Sequence, residues 1–135
     1  MLSVKELRLQ EKSAAQQRQV ISELTALTQD IERSEKTITS LKTELETVNS
    51  KHQGRRSTRE DIAYLTDLLV CAKKKLAWEK QMASLQKRTP DLMDRITRLM
   101  NDPQAPPAEE MRTAMIRALQ QVQAAIERLD KVKVT

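Results

Sequence analysis

Between positions 20 and 48 the apolar residues recur every seven positions in two interleaved sets. Leu24, Ile31, Ile38 and Leu45 form one set. Val20, Leu27, Leu41 and Val48, with Ser34 in the gap, form the other. Alternating steps of three and four keep both sets on one narrow stripe of an α-helix, the pattern of a coiled-coil seam. One further step brings His52 into the stripe. Upstream, Leu2, Val4, Leu7 and Leu9 stand off this register, so residues 1–19 are expected to be a weakly patterned helical segment.

Gly54 follows the stripe. A glycine enters the left-handed region without steric cost and is favoured just past a helix end. Ser57, three residues before Glu60, reads as a capping box that opens a second helix. Residues 53–57 are then a short turn between antiparallel neighbours. In the second helix Ile62, Leu65, Leu69, Ala72 and Leu76 continue the three-four spacing. The stripe then slips to Trp78, Met82 and Leu85, which reads as a register break. Residues 20–89 are therefore predicted to form a helical hairpin with arms of matched length.

Thr89-Pro90-Asp91 has the form of a helix start: a hydroxyl cap, proline in the first turn and an acid behind it. It predicts a separate short helix carrying Leu92, Met93, Ile96, Leu99 and Met100. The run 101–107, with Pro103, Pro106 and Pro107, reads as a stiff extended spacer. A last amphipathic helix opens near Ala108-Glu109-Glu110, with Met115, Leu119, Val122, Ile126 and Leu129 as its stripe. The expected fold class is all-α: a long antiparallel coiled-coil hairpin, a short helix and a C-terminal amphipathic helix, the last two within residues 90–135.

Composition agrees with long helices. There is no Phe, one Tyr and one Trp, charged residues make up 32% of the chain, and Gly occurs once. The single Cys71 rules out an intramolecular disulfide framework and fits a reducing, intracellular setting, cytoplasmic or nuclear. Met1–Gln10 lacks the apolar run of a signal peptide, and no stretch approaches the ~20 apolar residues of a membrane span. Charge is uneven. Residues 51–89 hold ten Lys/Arg against four Asp/Glu, whereas the flanking segments are near balance.

That excess peaks at the expected hairpin tip, in Lys51, Arg55, Arg56 and Arg59. The cluster suits an acidic partner such as a nucleic-acid backbone or an acidic protein tail, although a solvated turn explains it equally well. No aromatics interleave with it, which argues against stacking on single strands. The run Lys73-Lys74-Lys75 spreads around the helix and reads as solvated surface. Arg55-Arg56-Ser57-Thr58 and Thr89-Pro90 fit short kinase motifs, with Thr58 and Thr89 as candidate acceptors, but helix capping already accounts for Ser57 and Thr89. Five of the six methionines lie beyond position 80 and read first as adaptable core filler.

No catalytic, cofactor-binding or metal constellation is present. One His and one Cys are too few for a zinc site, and one Gly cannot build a phosphate loop. The flanking charges bear on pairing: in a parallel homodimer Asp30 would face Glu35 of the other copy, so an intrachain hairpin or a heteromeric coiled coil is favoured. The sequence thus points to a non-enzymatic structural or adaptor subunit of a larger intracellular assembly, plausibly cytoskeletal. It would bind other helical subunits through Val20, Leu24, Leu27, Ile31, Ile38, Leu41, Leu45 and Val48, with no small-molecule substrate. The alternatives are an acidic-polymer binder working through the basic tip, or a small helical secretion or assembly chaperone.

Overall fold

The computed structural model describes residues 3–134 and consists of three helices: α1 (Val4–Lys51), α2 (Thr58–Met100) and α3 (Glu109–Val134). α1 is 48 residues long, a rod of about 70 Å at ~1.5 Å per residue. It starts at Ser3 with a full capping box: the Ser3 hydroxyl accepts from the Glu6 amide at 3.1 Å, and the Glu6 carboxylate accepts from the Ser3 amide at 3.3 Å. This cap satisfies two of the backbone donors that a helix start leaves without partners.

α1 is the central element. α2 folds back along it, and α3 returns along its other side, parallel to α1. The core is one continuous line on α1: Ser13, Gln17, Val20, Leu24, Leu27, Ile31, Ser34, Ile38, Leu41, Val48 and His52 are buried, in steps of three and four apart from a gap at Leu45. The register therefore extends backwards through two polar residues, and residues 4–19 are helical as the first part of α1.

The hairpin turns at Gly54, whose φ of 86° requires the left-handed region. Ser57 accepts from the Glu60 amide at 3.3 Å and opens α2. A ladder of ion pairs sets the register between the arms: Glu44–Lys74 at 2.9 Å, Asp30–Arg88 at 2.8 Å and Glu23–Arg95 at 2.6 Å. On each helix these positions are multiples of seven apart, so each rung falls on the same side of the hairpin. Glu23 raises the Arg95 pKa, chiefly by hydrogen bonding and secondarily by charge, against the opposing effect of partial burial. Each exposed pair contributes at most about 1 kcal/mol, but the set disfavours slipped registers.

Two expectations at the far end of α2 are corrected. Thr89-Pro90 does not start a new helix, because α2 runs unbroken through Pro90 to Met100. A proline inside a helix costs about 3 kcal/mol through a lost hydrogen bond and a steric clash. Leu92 and Ile96 are buried beyond it, each contributing ~1.5–3 kcal/mol when the rod continues along α1. The Thr89 hydroxyl donates to the Leu85 carbonyl at 2.7 Å, within the turn that the proline perturbs.

The proline-rich run is likewise no extended spacer but a reversal. The Arg112 guanidinium donates to the Met100 carbonyl at 3.0 Å, the Gln104 amide to Asp102 Oδ1 at 2.9 Å, and Ala105 is buried. This loop returns the chain so that Met115, Ala118, Val122, Ala125 and Leu129 of α3 are buried in the bundle. The two alanines permit close approach, while Leu119 and Ile126, expected on the stripe, are only half-buried beside it.

Candidate functional site: a second apolar stripe on α2

The face of α2 turned towards α1 carries Tyr64, Leu68, Cys71, Trp78, Met82, Leu85, Leu92, Ile96 and Leu99, buried or half-buried. These positions hold three-four spacing from Tyr64 to Leu99, with Lys75 and Thr89 filling the remaining steps. There is no register break on this face. The apparent slip at Trp78 arises because α2 carries two apolar stripes, of which the sequence displays the more apolar one first. Trp78 fits over Ser34, and its indole Nε1 donates to the Ser34 carbonyl at 2.9 Å. A small residue in the α1 stripe makes room for the largest side chain of α2.

The other stripe is left in solvent. Ile62 is 61% exposed, Leu65 62%, Leu69 55% and Leu76 54%, with Ala72 exposed between them. At 100° per residue the stripe is centred roughly 120° around the helix from the buried face. Its steps are three, four, three and four, so the five residues line up along about four turns. Four large aliphatic side chains at more than half exposure form a contiguous patch of the kind that marks an interaction surface.

The third helix does not reach this patch. α3 meets α2 along the groove formed by Met82, Leu85, Thr89 and Pro90 with Ile126, Leu129 and Lys133, and the Val132 carbonyl accepts from Lys42 of α1. Nearer the turn, the described residues that pack together are those of α1 and α2. Leu45, assigned to the seam by its spacing, lies in this part of α1 and is 40% exposed, whereas Ile31, Ile38 and Leu41 on the same face are buried.

Electrostatics around the stripe are one-sided. Arg59, Lys73, Lys75 and Lys80 are exposed and take part in no ion pair among those found between described residues. Nearby acids are already engaged: Asp61 pairs with Arg56 at 2.9 Å, and Asp67 with His52 at 2.9 Å and Lys51 at 4.0 Å. Glu60 and Glu79 remain as the opposing charges on this part of α2.

The four tip cations separate into two kinds. Arg56 is part of the turn itself: its Nε donates to Asp61 at 2.9 Å, its Nη1 donates to the His52 carbonyl at 2.6 Å, and its guanidinium lies 4.3 Å from the Tyr64 ring centroid. Lys51 borders Asp67, and Arg55 and Arg59 point into solvent. The Tyr64 hydroxyl donates to Asn49 at 2.8 Å, and its ring lies 5.1 Å from that of His52, which completes a polar clasp at the turn. His52, the end of the α1 stripe, is buried within it.

Of the remaining candidates, Met82 and Met115 are buried and Met93, Met100 and Met111 half-buried in the core, which is the filler role. Ser57 is the N-cap of α2, as expected, whereas Thr89 takes no cap position and lies mid-helix. Among the described residues no group of three or more His, Cys, Asp or Glu is placed to hold a metal ion, and no helix is long and apolar enough to cross a membrane.

The fold defines an all-α, three-helix protein built on a long hairpin, with an unpartnered apolar stripe near the turn. No family model, curated protein or solved structure matches the chain.

Proposed function

We propose that this protein is a non-enzymatic adaptor, a helical subunit that joins a larger intracellular assembly by coiled-coil association of its hairpin. The observation that supports this reading most is the second stripe, Ile62, Leu65, Leu69 and Leu76. A seven-residue repeat of large aliphatics has no role in the hairpin's own core, and one further helix suffices to cover it. The α1 seam residues Val20, Leu24, Leu27, Ile31, Ile38, Leu41 and Val48 then serve to hold the hairpin rigid. Leu45 and the α2 stripe are among the exposed large apolar groups, and the stripe is the most exposed run of them on α2. A buried, unpaired Cys71 suits a reducing compartment, and a cytoskeletal scaffold is one assembly of this kind.

Native extract from cells expressing the chain tests the reading. The parent should elute from gel filtration in a large assembly. A Leu65→Asp/Leu69→Asp double variant, with unchanged helicity and melting temperature, should elute as the free protein. A parent that itself elutes free, at its endogenous level, would overturn the adaptor role.

A further inference from the structure

The charges that border the stripe say what kind of helix covers it. With Ile62, Leu69 and Leu76 at one seam position and Leu65 and Ala72 at the other, the flanking positions are Arg59, Thr66, Lys73 and Lys80 on one side and Asp61, Leu68 and Lys75 on the other. Flanking charges of this kind set partner choice in helix pairs. Here the free charges on the flanks are cationic, since Asp61 is held by Arg56. We infer that the stripe receives one amphipathic helix of a different protein, apolar at three-four spacing and carrying Asp or Glu along both flanks. This inference rests on the helix-association reading given above.

A second copy of the chain fits less well. In a parallel pair Lys75 would face Lys80 of the other copy. In an antiparallel pair folded about Leu69, Arg59 would approach Lys80 of the other copy. The one attraction on offer, between Asp61 and Lys75 of the second copy, requires Asp61 to leave Arg56. Like charges at such positions are a device against self-pairing. An anionic lipid surface also fits less well. Helices that lie on membranes present broad apolar faces, commonly with aromatics, whereas this stripe is two residues wide per heptad, contains no aromatic, and has Glu60 and Glu79 nearby.

The test uses the full chain and two synthetic helical peptides of four heptads. Both have Leu at the seam positions; one has Glu and the other Lys on both flanks. Binding is read by fluorescence anisotropy at low and high salt. The Glu-flanked peptide should bind about tenfold more tightly than the Lys-flanked one, given three to four flanking pairs, and the preference should shrink as salt rises. Lys73→Glu/Lys75→Glu/Lys80→Glu should reverse the order. Leu65→Asp/Leu69→Asp should abolish binding of both peptides, with an unchanged melt showing that the bundle is intact.

Equal binding of the two peptides, or binding of neither, overturns the inference. So does a stripe-dependent dimer of the chain in sedimentation, or stripe-dependent flotation with phosphatidylserine-containing vesicles that exceeds peptide binding. If neither peptide binds while the double variant still drops out of its native assembly, the adaptor role stands and the acidic helix is wrong. If the Glu-flanked peptide binds but the parent elutes free in native extract, the site stands and the adaptor role falls.

Discussion

Trp78→Ala should be the most damaging single substitution in the hairpin. The side chain is 8% exposed and sits where α1 and α2 meet over Ser34, and its indole N–H donates to the Ser34 carbonyl at 2.9 Å. A buried indole removes roughly 200 Å² from water, which at ~25 cal/mol per Å² gives an upper bound near 5 kcal/mol. Core Trp→Ala substitutions fall at about 3–5 kcal/mol once the cavity is included. The hydrogen bond contributes about 1 kcal/mol of this, because the carbonyl keeps its own helix partner when the indole leaves. Trp78→Phe retains most of the ring and should cost only ~1–2 kcal/mol, so comparing the two variants separates packing from the bond.

Urea denaturation followed by circular dichroism at 222 nm measures both variants, with unchanged slopes confirming that midpoints report stability. For a chain of this size, about 4 kcal/mol corresponds to a drop of roughly 10–20 °C in melting temperature. Trp78 is the sole tryptophan, so the parent's emission should be blue-shifted when native and move to the red in denaturant. A Trp78→Ala variant within 1 kcal/mol of the parent, or native emission as red as the unfolded chain's, would refute this packing.

Three further outcomes follow from particular contacts. Thr28→Val should raise stability by about 1 kcal/mol in a thermal melt, because the Thr28 hydroxyl is buried without a hydrogen-bond partner and valine has the same shape; a fall in melting temperature contradicts the burial. Pro90→Ala should stabilise by ~1–3 kcal/mol, since it restores an amide donor in mid-helix and relieves the ring clash, partly offset by a freer unfolded chain; a loss of stability means that the proline shapes a bend the bundle needs. Arg56→Ser should speed amide exchange around residues 52–61 several-fold through loss of its contacts to Asp61, His52 and Tyr64, whereas Arg55→Ser should leave exchange there unchanged; equal effects would deny Arg56 its special place.

Much of this fold is legible in the sequence. The α1 stripe from Val20 to Val48 is strongly periodic and two residues wide, which leaves one register open to it, and the turn at Gly54 with Ser57 behind it carries its own backbone chemistry. The two acids on α1 that would repel in a parallel dimer are paired within the chain instead, Asp30 with Arg88 of α2 at 2.8 Å and Glu35 with Arg128 of α3 at 3.8 Å. Ser13 and Gln17 were not legible as core. A polar residue at a seam position counts against the pattern in one dimension, yet it can be buried where the neighbouring apolar residues pull the helix into the bundle. Pro90 misled for the reciprocal reason: its local preference is real, and tertiary packing of Leu92 and Ile96 outweighs it.

The first half of α2 shows why periodicity alone was insufficient there. Two sets of positions, 62-65-69-72-76 and 64-68-71-75-78, both keep the three-four step and lie on different faces of the same turns. Hydrophobicity favours the first set, since the second includes Tyr64, Cys71 and Lys75. What selects the second for the hairpin is the set of partners across it, Asn49 for Tyr64 and the Ser34 notch for Trp78, with Asp67 held by His52 and Lys74 by Glu44 at neighbouring positions. Those contacts fix the rotation of α2 about its axis, and the more apolar face is turned outward as a consequence. An inversion of this kind leaves large aliphatics in water at a real cost in solubility. It has a physical rationale where a further helix covers the outer face, which is the role proposed above for Ile62, Leu65, Leu69 and Leu76, the residues of α2 that its own fold explains least.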